Sequence, residues 1–150
     1  MNANETKTRI LDAATELFLD HGYGSTSLDQ VAAQAGVTKP TVYSHFGSKQ
    51  GLLEAMTRRY TDVRVDEFRD NLLRGGPPGE ALTRFADAFL ARVMSEESRA
   101  WQRLATAESK TYPEVGEAFF SAGPQRVYQC LTEYLREEKD AGRLQIESPH

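Results

Sequence analysis

Apolar residues recur every three to four positions through most of the chain, and nowhere do they alternate with the period of two that marks a strand. The pattern predicts an all-α protein. Ile10, Ala13, Ala14, Leu17 and Phe18 fall at i, i+3, i+4, i+7 and i+8, a core stripe for a first helix over Glu5 to Asp20 stopped by Gly22. Ser27, with Gln30 three residues on, forms a capping box ahead of a second helix whose inward positions are Leu28, Val31, Ala32 and Ala35. Gly36 ends it, since glycine enters the left-handed region without steric cost. Thr38 then caps a third helix, and Pro40 in its first turn needs no backbone N–H.

From Ser48, a further cap, a long helix carries a stripe of Leu52, Met56, Tyr60 and Val63 that continues through Phe68 and Leu72 to about Arg74. At about 1.5 Å per residue it spans roughly 39 Å. Gly75-Gly76-Pro77-Pro78-Gly79 stops it, because proline inside a helix costs ~3 kcal/mol or more. Leu82, Phe85, Ala86, Phe89, Leu90 and Val93 define a helix from about Glu80 to Met94. Ser95 caps the next, which bears Trp101, Leu104 and Ala105. Pro113 opens a short helical turn through Phe119 and Phe120, and Gly123-Pro124 makes a break or kink. Val127, Tyr128, Leu131, Tyr134 and Leu135 carry a last helix to about Asp140.

The third helix departs from the usual surface helix. Val42 and Phe46 make its inward stripe, which leaves Pro40, Thr41, Tyr43 and Ser44 outward with Lys39 and His45 on the flanks. A solvated face is normally dense with Glu and Lys. Here it presents small polar groups, an aromatic hydroxyl, a histidine and a lysine, and between Gln30 and Gln50 the only formal charges are Lys39 and Lys49. Two short helices, a Gly-containing turn and an outward face rich in hydrogen-bonding groups describe a helix-turn-helix, whose second helix fits a major groove.

Charge narrows this reading. Net charge is −4 and the sequence pI about 5.4, which disfavours an unspecific nucleic-acid binder. Within residues 1–50 the acids Glu5, Asp12, Glu16, Asp20 and Asp29 lie before or at the edge of the third helix, so positive charge is local. DNA binding then rests on fitted contacts more than on a basic field. The single cysteine, Cys130, excludes an internal disulfide and suits a reducing cytosol. Its neighbour Leu131 on a core-bearing helix favours a buried structural thiol over a redox sensor. The N-terminus lacks the apolar segment of a signal peptide, and no apolar run approaches the ~20 residues of a membrane span. His21, His45 and His150 are far apart and lack metal-ligand spacing. No nucleophile elbow, phosphate loop or HExxH motif is present. The acid pairs Glu96-Glu97 and Glu137-Glu138 read as solvated faces. Neither an enzyme nor a cofactor is expected.

The segment from about Thr8 to Leu53 resembles the DNA-binding domain of the tetracycline-repressor (TetR/AcrR) family. The matching residues are Gly22-Tyr23, Thr26-Ser27, Val31-Ala32, Ala35-Gly36-Val37, Thr38-Lys39, Val42-Tyr43, His45-Phe46, Ser48-Lys49 and Leu52-Leu53. Gly51 departs from the pattern, where the family usually carries Glu or Ala. The resemblance implies a helix-turn-helix domain over 1–47 and a helical effector-binding and dimerisation domain over 48–150, joined through the connecting helix 48–74. It implies that Thr38, Lys39, Pro40, Thr41 and Ser44 approach base edges. Tyr43, His45 and Lys49 would hold phosphates, with Thr26 and Ser27 doing so at the start of the second helix. The partners it implies are a near-palindromic double-stranded operator, a small-molecule effector and a second copy of the chain, in the cytoplasm and away from membranes.

Tyr60, Phe85, Phe89, Trp101, Phe119, Phe120 and Tyr128 either fill a core or, as the resemblance implies, line in part an effector pocket; helical spacing alone does not separate the two. Ser148-Pro149 reads as a helix start. Because relatives continue with one or two helices that form most of the dimer interface, this chain is expected to lack its C-terminal helices and to be mostly monomeric. The competing reading is a helical protein-binding or carrier module without sequence-specific DNA binding. Its contact face would show large apolar anchors, which the polar residues of the third helix do not provide.

Overall fold

The computed structural model describes residues 2–73 and 75–145, with Val63, Arg64 and Leu73 described by backbone alone. The expected ends at Arg74 and at Ser148-Pro149, and the place of Val63 in the stripe, lie outside the described residues. The described residues form eight helices in chain order: α1 (Ala3–His21), α2 (Leu28–Ala35), α3 (Lys39–Phe46), α4 (Lys49–Leu73), α5 (Pro78–Val93), α6 (Glu96–Glu108), α7 (Pro113–Ala122) and α8 (Pro124–Asp140). The described residues contain no strand.

Most helix ends have the chemical cause read from the sequence. Ser27 and Gln30 close the capping box of α2, and Gly36 at φ 62° ends that helix in the left-handed region. Thr38 caps α3, and Ser95 caps α6. Three starts lie earlier than expected. α1 begins at Ala3 because Asn2 caps it and Glu5 is the third helical residue, whose carboxylate accepts from the Asn2 N–H at 3.1 Å. α5 and α8 begin at Pro78 and Pro124, where the fixed φ of proline suits the first helical turn.

Two hydrophobic cores lie along α4. The first joins Ile10, Ala14, Leu17 and Phe18 of α1 to Val31, Val42, Leu52, Leu53 and Met56, and also takes in Trp101, Leu104, Val115 and Ala118. The inward side of α1, α2 and α3 therefore packs on α6 and α7 as well as on α4, so the first core runs across residue 47. The second core gathers Phe68 and Leu72 with Ala81, Phe85, Cys130 and Tyr134. Cys130 is buried there as a free thiol.

Several expectations about burial need correction. Phe46 is only half-buried at the rim of the first core, because α3 ends there and turns away at Gly47. Leu90, Phe120 and Tyr128 are largely exposed, 58%, 59% and 72%, so the outer edges of the α5, α7 and α8 stripes pass beyond the packed surface, and Phe120 neither fills a core nor lines the cavity. Glu138 does not lie on a solvated face. It is buried and pairs with Arg143 through two bonds of 2.6 and 2.7 Å, with the guanidinium holding its carboxyl below the usual range.

Candidate nucleic-acid interface and effector cavity

The geometry of α3 follows from its ends and one buried residue. Val42 is fully buried and fixes the rotation of the helix, so Pro40, Tyr43 and Ser44 face solvent, with Thr41, Lys39 and His45 half-buried. Tyr43 is 47% exposed, unusual for a large aromatic side chain with no ring partner among the described residues. The outward hydroxyls are held in place locally. Thr38 and Thr41 share a hydrogen bond of 2.8 Å, and the Ser44 hydroxyl donates to the Thr41 carbonyl at 2.9 Å. The result is an ordered ridge of hydroxyls and one phenol.

The cations are not equally available. Lys39 is bound to Asp29 of α2 at 2.8 Å, an exposed pair that raises the lysine's pKa. Lys49 points inward from the start of α4. Its ammonium lies 4.3 Å from the centre of the Tyr23 ring and 5.9 Å from that of Phe18, a cation–π arrangement. Burial pushes its pKa down, while Glu108 and Glu114 act in the opposite direction. Ser27 and Thr26 are also committed. The Ser27 hydroxyl donates to Gln30 Oε1 at 2.9 Å within the capping box. Thr26 is buried and donates to the carbonyls of Leu17 and Gly22 at 3.2 and 2.9 Å, which ties the end of α1 to the start of α2. Thr26 therefore positions the head from inside, and its side chain cannot reach a phosphate as placed.

Composition gave no sign of how tightly the head is keyed to α6 and α7. The Gly24 N–H donates to the Glu108 carboxylate at the end of α6, at 3.1 Å. Tyr23 packs edge-on against Phe18 and Tyr112, with centroids 5.3 and 5.4 Å away. Burial, together with the Glu114 carboxylate facing its hydroxyl, pushes the Tyr23 pKa up to about 12. Gly24 is glycine for a packing reason: a Cβ there would sit 2.5 Å from the Tyr112 ring. Gly51, the departure from the family pattern, has a similar cause. A Cβ would run into the Phe46 carbonyl oxygen across the tight α3–α4 turn. On the other side of the head, Arg9 binds the carbonyls of Ala35 and Gly36 at the end of α2. None of these partners was recognisable without the fold, since Glu108 is 84 residues from Gly24.

A cavity of about 520 Å³ lies between α4, α5, α6, α7 and α8. Of the aromatics singled out in the sequence, Tyr60, Phe85, Phe89, Phe119 and Tyr128 line it. Trp101 does not. It is buried in the first core and stacks on Tyr60 with centroids 4.5 Å apart, one ring behind the wall. Phe68, Val127 and Leu131 add apolar surface, and Arg92, Ser98 and Gln102 supply polar groups. The volume and the mostly apolar wall are those of a small-molecule site. A wider groove of about 670 Å³ between α4, α7 and α8 is lined by Glu54, Asp62, Glu114, Glu117 and arginines. Its polar wall suits water, and Arg126 is already paired with Asp62.

An exposed hydroxyl-bearing α3 on a three-helix head, keyed to a helical body with an apolar cavity, defines a helix-turn-helix architecture. Comparison with known proteins gives it a family. Residues 10–56 match the model of bacterial regulatory proteins of the tetR family, and residues 80–150 match the C-terminal domain of AefR-like transcriptional repressors. The chain belongs to the TetR family. Over 112 residues it is 31% identical to the HTH-type transcriptional activator FasR of Mycolicibacterium smegmatis, covering 75% of this chain and 51% of FasR. Among solved structures it superposes on the flavonoid-responsive regulator FrrA with a TM-score of 0.80, 28% identity and coverage of 97% and 74%. A TetR-family regulator from Mesorhizobium loti gives a TM-score of 0.78 at 26% identity, covering 95% and 72%. The match spans about half of the length of FasR and less than half of three other curated relatives. No helix among the described residues is long and apolar enough to cross a membrane.

Proposed function

We propose that the chain is a DNA-binding transcriptional regulator, a repressor released from its operator by a small molecule held in the α4–α8 cavity. The observation that carries this reading is the α3 ridge. Tyr43, Ser44 and Pro40 stand in solvent on a helix fixed from behind by Val42, with no large aliphatic anchor that would suit a protein groove. Thr38, Lys39, Pro40, Thr41 and Ser44 would meet base edges, and Tyr43 and His45 the flanking phosphates. Lys39 donates to guanine only after leaving Asp29. Two copies would place their ridges in successive major grooves, about 34–36 Å apart.

The cavity couples to the ridge through α6. Ser98 and Gln102 line the cavity, and six residues beyond Gln102 on the same helix Glu108 holds the Gly24 loop of the head. An effector that shifts α6 or α4 would change the pose of α3. A coupling free energy of ~1–3 kcal/mol is enough to alter operator affinity about five- to 150-fold. A repressor output agrees with the match of residues 80–150 to a repressor C-terminal domain. FrrA is described as flavonoid-responsive, which agrees with an apolar ring system as one type of effector.

The test is a titration of labelled fragments from the gene's own promoter region. Asp29→Asn frees Lys39, so it should tighten binding to the selected fragment and raise its preference over bulk DNA, as a new base contact does. Lys39→Ala should weaken binding. If wild type and Asp29→Asn both fail to select any fragment over bulk DNA, the operator-binding reading falls and the helical carrier reading takes its place.

A further inference from the structure

Tyr128 lines the cavity and is at the same time largely exposed, so the cavity opens to solvent beside it. The two helices that flank this mouth stay apolar well past their packed faces. On α8, Pro124, Tyr128, Leu131 and Leu135 recur at i, i+4, i+7 and i+11, one stripe about 17 Å long. Pro124 and Tyr128 are exposed, and Leu131 and Leu135 are half-buried. On α5, the cavity-lining Phe89 and Val93 are succeeded around the helix by Ala86 and Leu90, both exposed. No charged residue interrupts either stripe. Together they leave roughly 400–500 Å² of apolar surface in water, taking a large aromatic side chain at ~200 Å². The largest patch on a typical monomer measures about 300–600 Å², and such a patch is often a contact site.

We infer that a second copy of the chain covers this face, α8 of each copy lying on α8 of the other about a two-fold axis near Tyr128. Area and charge both select this occupant. Two such patches face to face bury about 800–1,000 Å² of apolar surface. At the ~65% non-polar share of homodimer interfaces, the whole contact is then ~1,200–1,500 Å², the size of a stable one. In a two-fold contact the residues nearest the axis meet their own copies, so a charge there would face a like charge. The α8 stripe has none, and the exposed Gln125 and Gln129 beside it carry amides that both donate and accept, so each can pair with itself. This surface is distinct from the further C-terminal helices to which the family resemblance assigns the contact between copies. The inference rests on the proposed function and supplies the second copy that two reading ridges require.

Sedimentation velocity of the full chain over a wide concentration range should show a monomer–dimer equilibrium. Tyr128→Glu and Tyr128→Arg each set like charges against one another at the axis, so each should weaken the dimer at least tenfold. Because Tyr128 is exposed, both variants should keep the helical circular dichroism and the melting of the wild-type monomer. An equimolar mixture of the two should recover the dimer, a rescue that requires residue 128 of one copy to lie close to its counterpart. A wild-type chain that stays monomeric at every concentration overturns the inference and leaves the face to a different polypeptide. A dimer that survives both substitutions, or a mixture that shows no rescue, overturns it as well. The operator-binding reading fails separately. A dimer that behaves as described but selects no promoter fragment removes that reading and leaves this contact standing, whereas a monomer that selects one does the reverse.

Discussion

Glu108 is where the helical body meets the helix-turn-helix head, so its removal is the most informative single change. Its carboxylate accepts from the Gly24 N–H at 3.1 Å in a part-buried site and faces the Lys49 ammonium packed on Tyr23. A hydrogen bond to a charged group contributes about 1.5–3 kcal/mol net, and partial exposure places this one near the lower end. Glu108→Ala leaves the Gly24 N–H to water and strips Lys49 of a nearby negative charge. The expected loss is therefore ~1.5–2 kcal/mol. At this chain length that lowers the melting temperature by roughly 3–8 °C, since 1 kcal/mol shifts it by about 2–4 °C in domains of 150 residues or more. Glu108→Gln keeps an acceptor oxygen and should lose about half as much. The decisive assay is a double-mutant cycle with Lys49→Met, followed by urea unfolding. If the two carboxylate roles are as described, the cycle gives a coupling of at least about 0.5 kcal/mol, and the operator affinity proposed above falls in Glu108→Ala even though the residue lies outside the α3 ridge. A Glu108→Ala protein within 0.5 kcal/mol of wild type, with no coupling to Lys49, would refute the latch.

Three further outcomes follow from the packing. Gly51→Ala should destabilise by about 1–3 kcal/mol, the usual cost of overpacking, because the new Cβ meets the Phe46 carbonyl rather than a movable side chain; a chemical melt unchanged from wild type would mean the turn relaxes freely. Phe46→Ala should cost less than the ~3–5 kcal/mol of a fully buried phenylalanine, about 1.5–2.5, because Phe46 sits at the rim of the core; a loss of 4 kcal/mol or more would put it back in the interior. Tyr23 has its folded pKa raised from 10.0 to about 12, so the stability it contributes is fully present below pH 10 and is lost as pH rises towards 12. Tyr23→Phe should remove that component from the alkaline slope, and ultraviolet titration of wild type should show a late-ionising tyrosine that the variant lacks.

How far the sequence reaches is visible in particular residues. The period of the apolar stripes, the caps at Ser27, Thr38 and Ser95, and the breaks at Gly36 and Pro77-Pro78 are local signals. They depend on neighbours within about four positions, and they determined an all-α chain with a helix-turn-helix near its start. The outward face of α3 was legible for the same reason, since Val42 alone sets its rotation. Local signals could not say what lies across the core. Thr26 and Lys49 look like phosphate ligands in one dimension. They turn inward because α1 and Tyr23 offer them carbonyls and a ring at closer range. Trp101 and Phe89 share the same helical spacing, but only the packing of α6 behind Tyr60 puts the first in the core and leaves the second on the cavity wall. The need for glycine at Gly24 and Gly51 shows only once Tyr112 and the Phe46 carbonyl are placed against them. The sequence by itself determined which segments coil and which face of each is apolar, because those follow from bonds between near neighbours. The tertiary structure decided which polar groups are free for a ligand and which are already taken, because that depends on partners tens of residues away.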